Sequence, residues 1–252
     1  MFTTGLVSVS FRQESPETII AAVCAAELGG IEWGGDVHVP CGDFATAERV
    51  GRLTREAGLC VAAYGSYYRI GTNADVKTAF DTTLQTAKKL GAPVVRVWCG
   101  TEGSADTPPE RRAALTAEAK VMAAMAEAYG ITITLECHGG TLTDDYHSAV
   151  DFVRAVGHPR LRMYWQPNQF RDHAYNCEAA AALAADTVNL HVFHWDSKRT
   201  YPLADGTADW RDYLAVFRQT GQTYGLLLEF MHDGRLESLP ATAATLRSWL
   251  EA

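Results

Sequence analysis

Strand-like and helix-like runs alternate eight times along the chain, and that alternation predicts an α/β fold, a single (β/α)8 or TIM barrel. Two further observations support it. Four strand-like runs in the second half end on polar residues, Glu136, Gln166, His191 and Glu229, spaced 25 to 38 residues apart, about one strand–helix unit. The nucleotide-binding patterns of open sheets, GxGxxG opening a helix and GxxxxGK[ST], are missing. A doubly wound open sheet is the alternative.

The first strand is expected over 5–11, and Ser15-Pro16 opens a helix over 15–28, where proline in the first turn sacrifices no hydrogen bond. A short apolar strand at 30–35 precedes an amphipathic helix at 44–57 that exits at Gly58. Strand 59–66 leads to helix 74–90, closed by Gly91, and strand 93–99 to helix 108–129, opened by Thr107-Pro108-Pro109 and closed by Gly130. The second half continues with strands 131–138, 161–166, 188–194 and 225–230 and helices 144–156, 177–185, 209–220 and 237–251. No linker, low-complexity tract or charge block interrupts the series, so residues 1–252 are expected to form one domain.

Composition narrows the function. A hydrophobic share of 47% with 21% charged residues is ordinary for a globular protein able to bury a substantial core. The net charge of −8 argues against a nucleic-acid partner, which demands a basic surface. Six cysteines without CxxC pairs indicate neither a zinc knuckle nor a disulfide framework; most read as small core hydrophobes in a reducing cytosol. No signal peptide or run of roughly 20 apolar residues is visible, so a cytoplasmic protein without a membrane partner is expected. A homo-oligomer is left open.

In a parallel barrel the C-terminal strand ends share one rim, and chemistry is done there. Two carboxylates, an imidazole and an amide oxygen converging on that rim could hold a divalent cation. Side chains alternate faces along a strand, so Thr132, Thr134, Glu136 and His138 share one face of the fifth strand, leaving Ile133, Leu135 and Cys137 for the helices. Asn189, His191 and Phe193 share a face of the seventh, and Glu229 closes a run of three leucines, where an unpaired buried charge would be costly. Taken singly, a strand-end glutamate is more often solvated or paired with arginine, and a lone histidine is more often structural. The repetition of the pattern favours a shared site. The earlier strands add Glu32, His38 in the loop that follows, Tyr64, Arg96 and Trp98. Glu32 and Arg96 fit a buried ion pair equally well.

Particular segments carry a resemblance. Leu135-Glu136-Cys137-His138-Gly139-Gly140 is similar to an LExHxG motif, and Asn189-Leu190-His191-Val192 to an HxH or LHxK motif. The stretch Tyr201-Pro202-Leu203-Ala204-Asp205-Gly206 leading to Asp209-Trp210, together with Leu228-Glu229-Phe230, completes the likeness. End to end, the chain resembles the sugar phosphate isomerase/epimerase family, the xylose-isomerase-like barrel superfamily. The resemblance implies one divalent metal, commonly manganese with magnesium, zinc or cobalt as alternatives, held by Glu136, Gln166, His191 and Glu229. It further implies that Glu136 and Glu229 move protons for an isomerase or epimerase acting on a sugar or polyol ketone through an enediolate. His138, Glu32, His38, Tyr64, Arg96, Trp98 and Lys198 are the expected substrate contacts, with Trp33, Trp165 and Phe193 as further apolar walls.

The family usually carries aspartate at the sixth strand end and histidine three residues on, where this chain has Gln166 and Gln169. Glutamine offers a carbonyl oxygen but no charge. Two glutamates against a dication then leave a formally neutral site, with weaker metal binding expected. The alternatives are a keto-inositol-type dehydratase on the same scaffold, an abasic-site endonuclease (disfavoured by the acidic balance and the glutamines), and a sugar-binding barrel without catalysis.

Overall fold

Hydrophobic alternation, carried through hydrogen bonding, closes the sheet on itself. The computed structural model describes residues 1–250. Among them, eight parallel strands pair in chain order into a closed barrel: β1 (Phe2–Val7), β2 (Gly30–Gly34), β3 (Cys60–Ile70), β4 (Val94–Cys99), β5 (Thr132–Glu136), β6 (Leu161–Trp165), β7 (Thr187–Val192) and β8 (Tyr224–Leu228). Each is followed by a helix: α1 (Pro16–Ala25), α2 (Phe44–Glu56), α3 (Val76–Leu90), α4 (Pro109–Tyr129), α5 (Tyr146–Val156), α6 (His173–Leu183), α7 (Thr207–Gln219) and α8 (Leu239–Ser248). The predicted barrel is therefore the observed one.

The boundaries differ where side chains compete with the ladder. Strand β1 starts at Phe2 and yields at Ser8 to a 3-10 turn through Phe11, short of the expected end at 11. There the Ser8 hydroxyl accepts the Gly34 N–H at 2.9 Å, and the Ser10 hydroxyl accepts that of Phe230 at 2.8 Å. Helix α6 begins four residues before the expected 177, because the Asp172 carboxylate caps the Tyr175 N–H, a signal outside the apolar pattern. Strand β3 runs past 66 to Ile70 across a shift in register between Gly65 and Arg69. Gly91 and Gly130 do close α3 and α4 in left-handed backbone, at φ 84° and 69°.

Two apolar layers follow from strand parity. The larger lies between strands and helices and includes Trp33, Tyr64 and Trp165, each fully enclosed. The smaller fills the barrel with Val7, Val9, Ala63, Val94, Tyr164 and Leu227. Above that plug, the inward positions at the C-terminal strand ends become polar. The six cysteines are free thiols, but Cys24, Cys41 and Cys60 are exposed, which corrects the expectation that most are core residues. Among the described residues, no helix is long and apolar enough to cross a membrane.

Candidate metal centre

Glu136 is the last residue of β5, Gln166 follows β6, His191 lies one residue before the end of β7, and Glu229 follows β8. Parallel pairing of these successive strands, with Glu136 beside Tyr164 and His191 beside Leu227, sets the four ends at one level. Ligand atoms of Glu136, His191 and Glu229 lie within 4.8 Å of one another, and all three residues are buried. His191 Nδ1 is the common point: Gln166 Oε1 is 2.8 Å away, Glu229 Oε2 3.5 Å and Glu136 Oε1 3.6 Å. Gln166 donates its amide N–H to the Cys137 carbonyl at 3.0 Å, which directs its oxygen into the cluster.

A buried ion pair braces one side. Arg96 Nε donates to Glu32 Oε1 at 2.8 Å, and its Nη1 donates to Glu136 Oε2. Trp98 Nε1 donates to that same Glu136 oxygen at 2.5 Å, leaving Oε1 to face the imidazole. Gly65 makes room for this: a Cβ there would sit 2.6 Å from Glu32 Oε1 and 2.9 Å from Arg96 Nη2. On the other side, Phe230 adopts φ 50°, a strained left-handed conformation for an aromatic residue, directly after Glu229.

The electrostatics separate the two glutamates. Burial opposes charge on Glu136, but Arg96 and then His191 outweigh it and hold the carboxyl well below the usual range. For Glu229, burial dominates and raises the pKa; His191 opposes this and the Glu136 charge adds to it. Burial would depress His191, yet the charges and hydrogen bonds of Glu229, Glu136 and Glu32 lift it to about 10. Glu32 is pulled down to about 2, because Arg96 and His191 overcome a large desolvation cost.

This donor set fits a cation. Oxygens of three residues surround one imidazole nitrogen, and the charges of Glu32 and Arg96 formally cancel, so the two remaining carboxylates match a dication. Beside the cluster opens a cavity of about 350 Å³ lined by Glu136, His138, Gln166, Trp195, Glu229 and Phe230, among others. A larger groove of about 530 Å³ runs past Arg112 and Phe152, but Arg112 already donates to Thr107, Ser104 and Ser148, and no comparable cluster faces it among the described residues.

The other expected contacts divide. His138 lines the cavity, its ring 5.2 Å from that of Trp98. Arg96 and Glu32 lie in the cluster as the ion pair, and Trp98 as the donor to Glu136. His38 is not brought to the cluster: its ring nitrogens lie 3.0 Å from the Ser8 hydroxyl and 3.2 Å from the Glu14 carbonyl. Nor is Tyr64, which faces the helices beside the inward-facing Gly65 and donates to the Val39 carbonyl. Lys198 sits exposed on the loop after β7. Of the expected walls, Trp33 points outward to Thr54, and Trp165 packs against Trp210, Tyr213 and Phe217. Phe193 stacks edge-on against Trp195. Sequence reasoning missed the cavity residues Trp195, Phe230, Asn168 and Phe170, which lie in loops without periodicity; the motif-like Glu229-Phe230 pair was the one available signal.

Comparison with known proteins agrees with this architecture. The family model described as xylose isomerase-like TIM barrel matches residues 20–252. A 3-dehydroshikimate dehydratase of Bacillus anthracis is 25% identical over 170 residues, 63% of this chain; the match spans 59% of that relative's length. The crystal structure of the probable 3-DHS dehydratase AsbF from Bacillus anthracis superposes with a TM-score of 0.81 at 19% identity, over 98% of this chain and 99% of that one. D-allulose 3-epimerase from Methylomonas sp., in complex with D-allulose, gives a TM-score of 0.74 at 16% identity, over 98% and 96%.

Proposed function

The chain belongs to the xylose isomerase-like TIM-barrel family, and from that premise we propose that it is a divalent-metal-dependent enzyme that removes a proton beside the carbonyl of a small hydroxylated ketone. The observation that carries the reading is the convergence of Glu136, Gln166 and Glu229 oxygens on one imidazole nitrogen, beside a cavity large enough for a sugar-sized ligand. A cation bound by Glu136, Gln166, His191 and Glu229 supplies Lewis acidity toward a carbonyl oxygen.

The residues then divide the work. Glu229, buried at the cavity wall and held by no side-chain donor among the described residues, accepts the proton from the carbon next to the carbonyl, and the electron pair moves into an enolate. Glu136, gripped on one oxygen by Arg96 and Trp98, stays ionised and fixed in place. His138, on the cavity wall, contacts the substrate hydroxyls, while Trp195 and Phe230 exclude water.

One observation favours elimination of water over epimerisation. Inverting a carbon calls for two proton carriers on opposite faces, and of the two glutamates Glu136 is held on one oxygen by Arg96 and Trp98, whereas no side-chain donor holds Glu229 among the described residues. A single carboxyl can take the α-proton and return it to the β-hydroxyl as the C–O bond breaks, releasing water and leaving a C=C bond. The dehydratase relative supports that outcome; the epimerase reading of the sequence shares the enolate and differs in its fate. The test is a panel of ketoses, inososes and 3-dehydroshikimate with manganese in D2O. Appearance of a conjugated product by ultraviolet absorbance supports dehydration, deuterium at the α-carbon of an epimer supports epimerisation, and neither on any ketone would sink the proposal.

A further inference from the structure

We propose that Glu32 is a positioning residue for His191, its second carboxylate oxygen accepting from Nε2–H so that the Nδ1 lone pair is the one presented to a cation; the inference rests on the metal reading above. Glu32 Oε2 and His191 Nε2 lie 3.5 Å apart, both side chains fully enclosed. Both atoms are buried and, among the described residues, neither meets a hydrogen-bond partner at good geometry; besides Arg96 and His191 Nε2, the Tyr164 hydroxyl is the polar group that faces Glu32. Two buried acceptors would not face each other there, so the ring nitrogen opposite the carboxylate carries the proton. Glu32 cannot turn away, because Arg96 Nε holds its other oxygen at 2.8 Å.

The opposite edge of the ring gives this arrangement its meaning. Nδ1 faces oxygens of Gln166, Glu136 and Glu229, and these would draw a proton onto it. A neutral imidazole has one proton to place. When a cation displaces one proton from the ring, Glu32 decides which proton stays: the Nε2 proton is retained and Nδ1 is freed, whereas without Glu32 the retained proton settles at Nδ1 among the three oxygens and competes with the cation. Glu32→Gln sharpens the point. Arg96 requires the amide oxygen, so the amide NH2 turns to Nε2 and forces the proton onto Nδ1, inside the candidate site.

The experiment uses the full-length chain labelled with 15N-histidine. In the zinc-loaded wild type, long-range 1H–15N correlations are expected to show His191 protonated at Nε2 and metal-bound at Nδ1. Glu32→Gln is expected to bind zinc and manganese about 10–100-fold more weakly, with unchanged circular dichroism. An unprotonated Nε2 in the loaded wild type, with Glu32 held by the neighbouring Tyr164 hydroxyl instead, would overturn the inference, and this measurement needs no variant to fold. So would a Glu32→Gln affinity within about twofold of wild type, since an effect of the size expected for an outer-shell partner would then be absent. A wild type that binds neither metal would remove the metal reading and this inference together, whereas binding with the wrong tautomer removes this one alone.

Discussion

Glu136 and Glu229 approach the same imidazole nitrogen from two strands at nearly equal range, 3.6 and 3.5 Å, yet only Glu136 is gripped by donors. Arg96 and Trp98 hold one of its oxygens, whereas Glu229 has burial and a neighbouring negative charge, both of which favour its protonated form. Two residues of one type are thus shifted in opposite directions by their surroundings, which suits the different tasks proposed for them.

Exchanging each for glutamine separates those tasks. Glu229→Gln should lower turnover by about 10²–10⁴-fold while the protein still takes up metal, since the amide keeps an oxygen but cannot carry a proton. Glu136→Gln should chiefly weaken metal binding and recover part of its activity in excess metal. Turnover and metal titration on both variants check this; near-normal turnover in Glu229→Gln would remove its role as base.

Trp98→Phe deletes one of the two donors to Glu136 while keeping an aromatic ring for Arg69, Tyr67 and His138 to pack against. A charge-assisted hydrogen bond of this kind contributes about 1.5–3 kcal/mol, so urea unfolding should show a loss of that order at neutral pH. An unchanged midpoint would mean that the indole N–H to Glu136 bond adds no net stability over its hydration in the unfolded chain.

The metal-free protein should have a distinct pH profile. His191 rises from 6.5 to about 10 on folding, so its stabilising contribution is complete below pH 6.5 and is lost as pH climbs toward about 10. Glu32 falls from 4.5 to about 2, so its contribution holds above pH 4.5 and disappears as pH drops through about 2. A metal bound at Nδ1 must displace a proton, so apparent affinity should climb about tenfold per pH unit below pH ~10. Calorimetric titration in buffers of different ionisation heat should register close to one proton released; none released would place the metal elsewhere.

Gln166→Asp should tighten divalent metal binding, because it adds a negative charge beside a dication in a partly dry site. Activity should fall nonetheless, since a more negative site stabilises a developing enolate less well. Equal or weaker affinity would mean that residue 166 does not reach the metal.

The barrel was readable because its signal is repetitive: eight apolar runs, each followed by a helical period. The cluster was readable for a related reason, since Glu136 and Glu229 are polar residues ending runs that should otherwise stay apolar. Placement on a strand or in its loop was not enough where the face of a single residue decides. Tyr64 was expected at the site from its place on the third strand, but Gly65 is the residue that points inward, leaving the tyrosine among the helices. His38 follows a strand that had already ended, and its ring turned toward Ser8. The left-handed backbone at Phe230 and the approach of Trp195 arise from tertiary packing of loops, which leaves no period in a sequence.

All four candidate donors come from consecutive strands, β5 through β8, while the first half of the barrel contributes the Glu32–Arg96 pair. With a cation seated among them, residues 136 to 229 would be tied together as by a cross-link, and the half spanning β1 to β4 would gain only indirectly. Chelation should therefore loosen the molecule unevenly. In hydrogen–deuterium exchange, amides of the later strands should lose protection first, and the earlier half should keep its own until the whole barrel opens.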